Sequence, residues 1–174
     1  MDDLSSREPD ARPPIRVRAA LAEDVPGIWR VHNDSIRELC GERYGPEEIA
    51  AWIAFRPPDA YLRALATRAL FVAEWQGAIV GFGQLDPARA EIEACYVAPE
   101  AVGSGIGSAL LARMEDEARR RGHRIIRLNA TLNAEKFYAR KGYRWLGRAA
   151  HRVSAKIDLP CVRMEKALSP GGSG

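Results

Sequence analysis

The stretch "APEAVGSGIGSALLARMEDEARRRG" (98–122) constrains this chain most, because three glycines stand at alternate positions directly before a helix pattern. Apolar residues four apart mark that helix: Ile106, Leu110, Met114 and Ala118. Glycines leave the main chain uncovered, and the first N–H groups of a helix are unpaired. The loop at 102–108 is therefore predicted to bind an anion, such as a phosphate, through its backbone.

The segments before the loop alternate with a period of two, which predicts strands. Two such runs, 70–75 and 78–85, flank a Gln-Gly hairpin turn, and "AEIEACYV" (90–97) leads into the loop. Strict alternation in the last run predicts one face with Glu91, Glu93, Cys95 and Val97 and another with Ile92, Ala94 and Tyr96. The hairpin order argues against a dinucleotide-binding fold, whose fingerprint also needs glycine in place of Ser108. A Walker loop would need a lysine directly after Gly107, where this chain has Ser108.

The remaining segments complete one mixed domain. A short strand at 15–20 precedes three helices, and a strand, a helix at 133–142 and two late strands follow the glycine loop. A chain of 174 residues is long enough for one domain with a real core, predicted at 15–168. The start (1–14) is expected to be a disordered tail and "SPGGSG" (169–174) a flexible one.

Composition argues against several classes of function. The net charge of +3 is too small to indicate a nucleic-acid partner, and no stretch approaches the roughly 20 apolar residues of a membrane span. Cys40, Cys95 and Cys161 are too far apart for a metal site, so no metal is expected. The acidic, proline-rich N-terminus differs from a secretory signal. Reduced thiols in a cytoplasmic protein are therefore predicted.

Three motifs, taken in order, resemble the GNAT (GCN5-related) family of acetyl-CoA-dependent N-acetyltransferases, in particular its small bacterial-type members. They are "AEIEAC" before the loop, "YVAPEAVGSGIGSALL" around it and "NAEKFYARKGY" after it. The resemblance spans about residues 15–168. It implies an α/β (mixed α+β) fold with a mostly antiparallel, twisted sheet of six to seven strands and helices on both faces. It also implies acetyl-CoA as co-substrate, held by the loop residues Val102, Gly103, Ser104, Gly105, Ile106, Gly107 and Ser108.

The resemblance implies further cofactor contacts beside the loop. In the family, the strand before the loop splays from its neighbour and offers backbone groups to the pantetheine arm, here at Cys95, Tyr96 and Val97. Asn133 would also hold the cofactor arm, although an asparagine at a helix start is equally an ordinary N-cap. The family usually has Arg or Gln at the first loop position, so Val102 removes one side-chain contact to the cofactor.

Acetyl transfer to an amine needs a base, because an alkylamine with a pKa near ~10 is protonated at neutral pH. Glu91 and Glu93 are the candidates: residues two apart on a strand share a face, and neighbouring like charges favour protonation of one of them. By resemblance, a glutamate on this strand takes the proton. Glu91 matches the position of the histone-acetylating branch, whereas Glu93 lies nearer the expected acetyl group. The two are not ranked.

The leaving thiolate needs a proton, and Tyr138 is the candidate acid, since a phenol keeps its proton at pH 7. The family commonly has a tyrosine at this point, before a Lys-Gly-Tyr turn. Cys95 raises the alternative of a covalent acetyl-enzyme. No histidine lies near it in sequence, and buried cysteines are usually inert, so direct transfer is favoured.

The acceptor is less well defined by the sequence. Family members bind it near the end of the first helix, which indicates His32 and Ser35, and His151 is expected at the mouth of the same site. The expected partner is the amine of a small molecule, with a protein lysine or N-terminus as one alternative. A non-catalytic module that binds CoA or acyl-CoA is the other. A homodimer is compatible with the resemblance.

Overall fold

Seven strands form one sheet within residues 14–170, the part of the chain that the computed structural model describes. They are β1 (Arg16–Ala19), β2 (Ala69–Trp75), β3 (Ala78–Asp86), β4 (Glu91–Val97), β5 (Ile125–Thr131), β6 (Arg144–Arg152) and β7 (Asp158–Ala167). Their order is β1-β2-β3-β4-β5-β7-β6, and every neighbouring pair is antiparallel except β4 and β5. The expected mixed, mostly antiparallel sheet is confirmed. Of the two predicted tails, residues 1–13 and 171–174 lie outside the described residues.

Five helices connect the strands: α1 (Val25–Leu39), α2 (Pro46–Phe55), α3 (Pro58–Thr67), α4 (Ile106–Arg120) and α5 (Glu135–Arg140). The prediction of a helix over 133–142 is wrong at both ends. Before α5, the Ala134 amide donates to the Thr131 carbonyl at 2.9 Å, so a turn occupies the first predicted positions. Among residues 14–170, no helix is long and apolar enough to cross a membrane.

Helices cover both faces of the sheet, as expected. On one face, the Phe82 ring of β3 packs against Tyr61 of α3 and His32 of α1, with ring centroids 5.6 and 6.2 Å apart. On the other face, a β-carbon added at Gly83 would lie 2.8 Å from the Met114 side chain, so α4 packs directly on β3. The predicted apolar stripe of α4 is buried there: Ile106, Leu110, Met114 and Ala118. Each large apolar side chain buried in this way contributes about 1.5–3 kcal/mol.

The hairpin predicted between β2 and β3 is confirmed. Gln76 and Gly77 connect the two strands with φ angles of 52° and 78°. Two successive residues with positive φ are typical of a type I′ turn, whose twist matches that of the paired strands.

Strands β4 and β5 separate soon after they meet. Only two residue pairs join them, Glu91 with Arg127 and Ile92 with Leu128, although β4 continues to Val97 and β5 to Thr131. The splayed strand that the family resemblance implied is therefore present. Because the two strands diverge, a gap opens through the middle of the sheet.

Candidate active site

A cleft of about 580 Å³ lies over the gap between β4 and β5. The glycine loop lines one side of it and α5 another. It brings together residues that lie far apart in the sequence and that the motifs had singled out: Ser35, Glu93, Cys95, Tyr96, Val97, Val102, Gly103, Gly105, Gly107, Ser108, Asn133 and Tyr138. The predicted glycine-loop site is thus part of an open cleft.

Two glycines of the loop adopt a backbone conformation that other residues rarely adopt. Gly103 has φ of 81°, and Gly105, which precedes the first residue of α4, has φ of 90°. A β-carbon added at either would meet no atom within 4 Å, so the space beside the main chain is open. Gly107 differs, because an added β-carbon there would lie 3.3 Å from the Phe137 ring. The first two glycines allow the turn, and the third allows α4 to approach α5 closely.

The amides of this loop are available to a ligand. Within residues 14–170, those of Gly103, Gly105, Ile106, Gly107 and Ser108 donate to no backbone carbonyl, whereas the Ser104 amide contacts Ala101 O at 3.4 Å and the Ala109 amide donates to Gly105 O at 3.0 Å. The Ser104 hydroxyl also donates to the Ala101 carbonyl. Ile106 is buried in the core. Ser104 and Ile106 are not among the residues that line the cleft, whereas Val102 lines it and is 56% exposed.

A smaller pocket of about 200 Å³ lies beside the same gap. It shares five lining residues with the larger cleft: Ile92, Glu93, Tyr96, Asn129 and Thr131. Its other walls include Glu91 of β4, His151 of β6, and Trp52 and Arg56 from α2 and its end. The two cavities therefore border each other at the gap between β4 and β5.

A β-bulge lies in β4 where the two cavities meet. Ala94 pairs with Gln84 of β3 and Ile92 pairs with Leu85, so Glu93 is an extra residue without its own partner. A bulge of this kind locally bends the strand and redirects the side chains around it. Glu93 is therefore the point at which the regular alternation of β4 is broken.

The predicted alternation of β4 is wrong after the bulge. Cys95 pairs with Gly83, on the face that α4 covers, and the Val97 side chain lies 3.6 Å from a β-carbon added at Gly107. The Tyr96 ring instead stacks on Phe82, with centroids 5.4 Å apart, and so faces α1. Strict alternation had predicted Cys95 and Val97 on the same face as the glutamates and Tyr96 on the opposite face. The extra residue exchanges the two faces from Cys95 onward, because it shifts the alternation by one position.

The two candidate bases differ in their surroundings. Both glutamates line the smaller pocket, as residues sharing a strand face should, but only Glu93 also lines the cleft. Glu93 Oε2 accepts hydrogen bonds from Arg68 Nε at 2.9 Å and Gln84 Nε2 at 2.6 Å. Glu93 is therefore paired with an arginine that no sequence motif had placed beside it.

Tyr138 and Cys95 lie together in the cleft, and both hold their protons firmly. Burial raises the pKa of Tyr138 well above its ordinary value. Burial also raises the pKa of the Cys95 thiol to about 12, opposed in part by a hydrogen bond with Tyr138. A thiol with such a pKa is a poor nucleophile at neutral pH. A phenol in this state is a proton donor rather than a base.

The remaining predicted residues have mixed outcomes. Asn133 lines the cleft, but the alternative role of helix cap is wrong: α5 begins at Glu135, and Asn133 Oδ1 instead accepts a contact from Cys40 Sγ at 3.7 Å. Ser35 lines the larger cleft rather than the smaller pocket. His151 lines the smaller pocket, and its pKa is lowered by burial and by the charge of Arg56.

His32 was expected at the acceptor site, and this is wrong. Its side chain is 1% exposed and packs edge-on against the Tyr96 ring, with centroids 4.8 Å apart. Burial, together with the charge of Arg56, lowers the pKa of His32 to about 3, so the ring is neutral at physiological pH. It supports the wall of the site from within the core.

Residues not recognised in the sequence complete the smaller pocket. Arg56 follows the last residue of α2, and Trp52 and Tyr44 supply aromatic walls. The Tyr44 hydroxyl donates to the Pro160 carbonyl at 2.7 Å and accepts from the Leu132 amide at 3.0 Å, which ties the end of β5 to β7. The aromatic residues around "GPEEIAAWIAF" were the available signal, but the period of a helix explained them equally well.

Known proteins match this chain in sequence and in fold. A family model described as an acetyltransferase (GNAT) domain matches residues 40–168. Phosphinothricin N-acetyltransferase of Streptomyces coelicolor is 33% identical, with 76% of this chain and 84% of that protein covered. A GCN5-related N-acetyltransferase structure from Rhodopseudomonas palustris has a TM-score of 0.83 at 28% identity, with 94% of this chain and 100% of the other covered. PaiA N-acetyltransferase from Thermoplasma acidophilum, solved in complex with coenzyme A, has a TM-score of 0.74 at 21% identity over 88% and 99% of the two chains.

Proposed function

The chain belongs to the GNAT acetyltransferase family, and we propose that it transfers an acetyl group from acetyl-CoA directly to the primary amine of a small molecule. The observation that carries this proposal is the meeting of two cavities at the gap between β4 and β5, with Glu93 on their common wall. One cavity has the loop for the co-substrate, and the other has room for a small acceptor.

The loop fits the diphosphate of acetyl-CoA. Unpaired amides at the start of α4 and in the turn before it are suitable donors to phosphate oxygens, and the helix dipole adds to the attraction. The open space beside Gly103 and Gly105 allows close approach to these donors. PaiA, which has the same fold, was solved with coenzyme A. When bound, acetyl-CoA supplies an activated acetyl group as a thioester.

Glu93 is the better candidate for the base. Glu93 lines both cavities, whereas Glu91 lines the smaller pocket and not the cleft. An ammonium group in the smaller pocket can lose a proton to Glu93, directly or through water, which frees the nitrogen lone pair for attack. Backbone amides of β4 beyond its last pair with β5 are candidates to bind the acetyl oxygen.

Tyr138 is the proposed acid. It keeps its proton because its pKa is raised by burial, and it shares the cleft with the loop. As the new C–N bond forms and the C–S bond breaks, Tyr138 donates its proton to the sulfur. The high pKa of the Cys95 thiol supports direct transfer over a covalent acetyl-cysteine.

The pocket favours a small amine that carries an acidic group. Its volume of about 200 Å³ suits a molecule of amino-acid size. Arg56 supplies a cation to one wall, and Trp52 supplies an apolar surface to another. The 33% identical relative is named for N-acetylation of phosphinothricin. A cytoplasmic location and a homodimer stay predictions.

The test is release of free CoA thiol from acetyl-CoA with a panel of primary amines. The panel contains amines with and without a carboxylate, matched in size, and a folded protein substrate. We expect transfer to the small acid-bearing amines, and a loss of kcat of about 100-fold or more in Glu93→Gln and Tyr138→Phe. Arg56→Met should raise KM for the acid-bearing amines without changing KM for the others.

Three outcomes would contradict the proposal. Binding of CoA without thiol release for any amine would indicate the binding module. Faster modification of the folded protein than of any small amine would indicate a protein acetyltransferase. Loss of activity in Glu91→Gln with retention in Glu93→Gln would reverse the assignment of the base.

A further inference from the structure

The Glu93 carboxylate is held through one of its two oxygens. Gln84 Nε2 and Arg68 Nε both donate to Oε2, at 2.6 and 2.9 Å. Within the described part of the chain, no donor contacts Oε1. The Glu93 side chain is 23% exposed and Glu93 lines both cavities, so its carboxylate is held through Oε2 while Oε1 is left without a donor among the described residues.

Gln84 is placed for this contact by the bulge. It lies on β3 opposite the bulged segment of β4 and is 5% exposed. Its other amide atom, Oε1, accepts from Arg56 Nη1 at 3.5 Å. Because Arg56 can only donate and an ionised carboxylate only accepts, these two neighbours determine the amide orientation and turn Nε2 toward Glu93.

Arg68 is itself anchored. It directly follows α3, and its guanidinium lies 3.9 Å from Asp86 Oδ2. Asp86 is buried, and its Oδ1 accepts from the backbone amides of Ala88 at 2.9 Å and Arg89 at 3.3 Å. The second donor to Glu93 is therefore tied to a turn of the main chain and not left free on the surface.

A glutamate side chain has three rotatable bonds. If it moves among several conformations, the carboxylate spends less time in the geometry that proton transfer requires. Two donors on one oxygen restrict that motion and leave the lone pairs of the other oxygen available. Charged groups around Glu93 are Arg68 after α3, Arg56 after α2, Glu91 on β4 and Asp86 on β3.

We propose that Gln84 and Arg68 are positioning residues that hold Glu93 by Oε2 so that Oε1 accepts the proton of the acceptor amine. This inference rests on the proposed function, because it assumes that Glu93 is the base. It adds two residues that carry no recognised motif. It also gives the bulge a role, since the inserted residue is the one that meets both donors.

The test is a double-mutant cycle measured as kcat and KM. Gln84→Met keeps the side-chain volume and removes the donor, and we expect kcat to fall about tenfold with KM for acetyl-CoA within twofold of wild type. In a Glu93→Gln background the same change should lower kcat no further than twofold, because the residue acts through the carboxylate.

Arg68 provides the second variant, in case Gln84→Met fails to fold. Its side chain is 32% exposed, so Arg68→Met removes little core packing, and Arg68→Lys should restore part of the lost kcat. Arg89→Met is the matched control: Arg89 also lies near Asp86, at 3.8 Å, and is mostly exposed, so its kcat should equal that of wild type.

Equal losses of kcat for Gln84→Met with and without Glu93 would overturn the inference and leave the proposed function intact. If Gln84→Met and Arg68→Met both fold and both retain the wild-type kcat, the inference is likewise overturned and the proposed function is left intact. Wild-type kcat in Glu93→Gln would overturn the base assignment and this inference together. The two failures are therefore distinguishable.

Discussion

At the scale of single residues, several polar side chains are carried into the core without a partner. Within residues 14–170, the buried side-chain nitrogen and oxygen atoms without a hydrogen bond are His32 Nδ1, both polar atoms of the Asn33 side chain and the Tyr61 hydroxyl. An unsatisfied buried group lowers stability, and a titratable one also makes stability depend on pH.

His32 should make the protein sensitive to mild acid. Burial lowers its pKa to about 3, below the value of about 6.5 in the unfolded chain. As the pH falls below about 6.5, the unfolded state takes up a proton on His32 while the folded state does not. The free energy of unfolding is therefore highest above about pH 6.5 and decreases on acidification. Between pH 7 and pH 5 the loss from this group should be about 2 kcal/mol.

Urea unfolding of wild type and His32→Phe at the two pH values checks this. The variant keeps a ring against Tyr96 and should lose about 2 kcal/mol less on acidification. An identical acid response in wild type and His32→Phe would contradict the account.

Tyr61 and Tyr143 should respond oppositely to loss of their hydroxyl groups. The Tyr143 hydroxyl donates to buried Glu115 at 3.1 Å, so Tyr143→Phe leaves that carboxylate with one donor fewer and should lower the free energy of unfolding by about 1–2 kcal/mol. Tyr61→Phe removes a group without a partner and should leave stability equal or raised. Thermal unfolding measures both; a loss in Tyr61→Phe as large as in Tyr143→Phe would mean that the hydroxyl has a partner.

The location of a residue in the cleft could be predicted where the residue belongs to a short sequence motif. Tyr138 and the glycines stand in short motifs, and each lines the cleft. His32 could not be placed, because its burial depends on Tyr61, Phe82 and Tyr96, which come from three other elements. The role of Gln84 and Arg68 could not be predicted for the same reason, since their contact with Glu93 exists only after the sheet has formed.

At the scale of elements, strands, turns and the main helix followed from periodicity, but the bulge in β4 did not. Alternation of apolar and polar residues predicts a strand, and an inserted residue leaves that pattern nearly unchanged. The faces of Cys95, Tyr96 and Val97 were reversed as a result. The glycine loop was predictable because positive φ restricts the sequence so strongly.

Gly105→Ala should impair both the stability of the loop conformation and the binding of CoA. Alanine at φ of 90° is strained by about 1–2 kcal/mol, and its methyl group would project into the open space of the cleft. We expect lower stability and at least a tenfold rise in Kd for CoA, measured by calorimetry. Gly77→Ala imposes comparable strain in the hairpin turn, at φ of 78° and with open space around it, and should leave Kd unchanged. Equal Kd values for the two variants would argue against the loop as the CoA site.

At the scale of the whole molecule, the sheet order places one parallel pair in the middle of an otherwise antiparallel sheet, and the proposed function depends on the separation of that pair. The order itself could be expected only from the family resemblance, because strand order depends on contacts distant in sequence. Tyr44 helps to hold the gap, since it bridges the end of β5 and β7. Two cavities that share a wall then follow from topology rather than from any single motif.

The central claim is that main-chain amides between Val102 and Ser108 hold the diphosphate of acetyl-CoA and direct its thioester into the gap beside Glu93 and Tyr138. A crystal structure of the complex with CoA tests it most directly. We predict diphosphate oxygens within hydrogen-bond distance of those amides and the CoA sulfur between β4 and Tyr138. Coenzyme A bound elsewhere, or a loop whose amides contact no phosphate, would contradict the account.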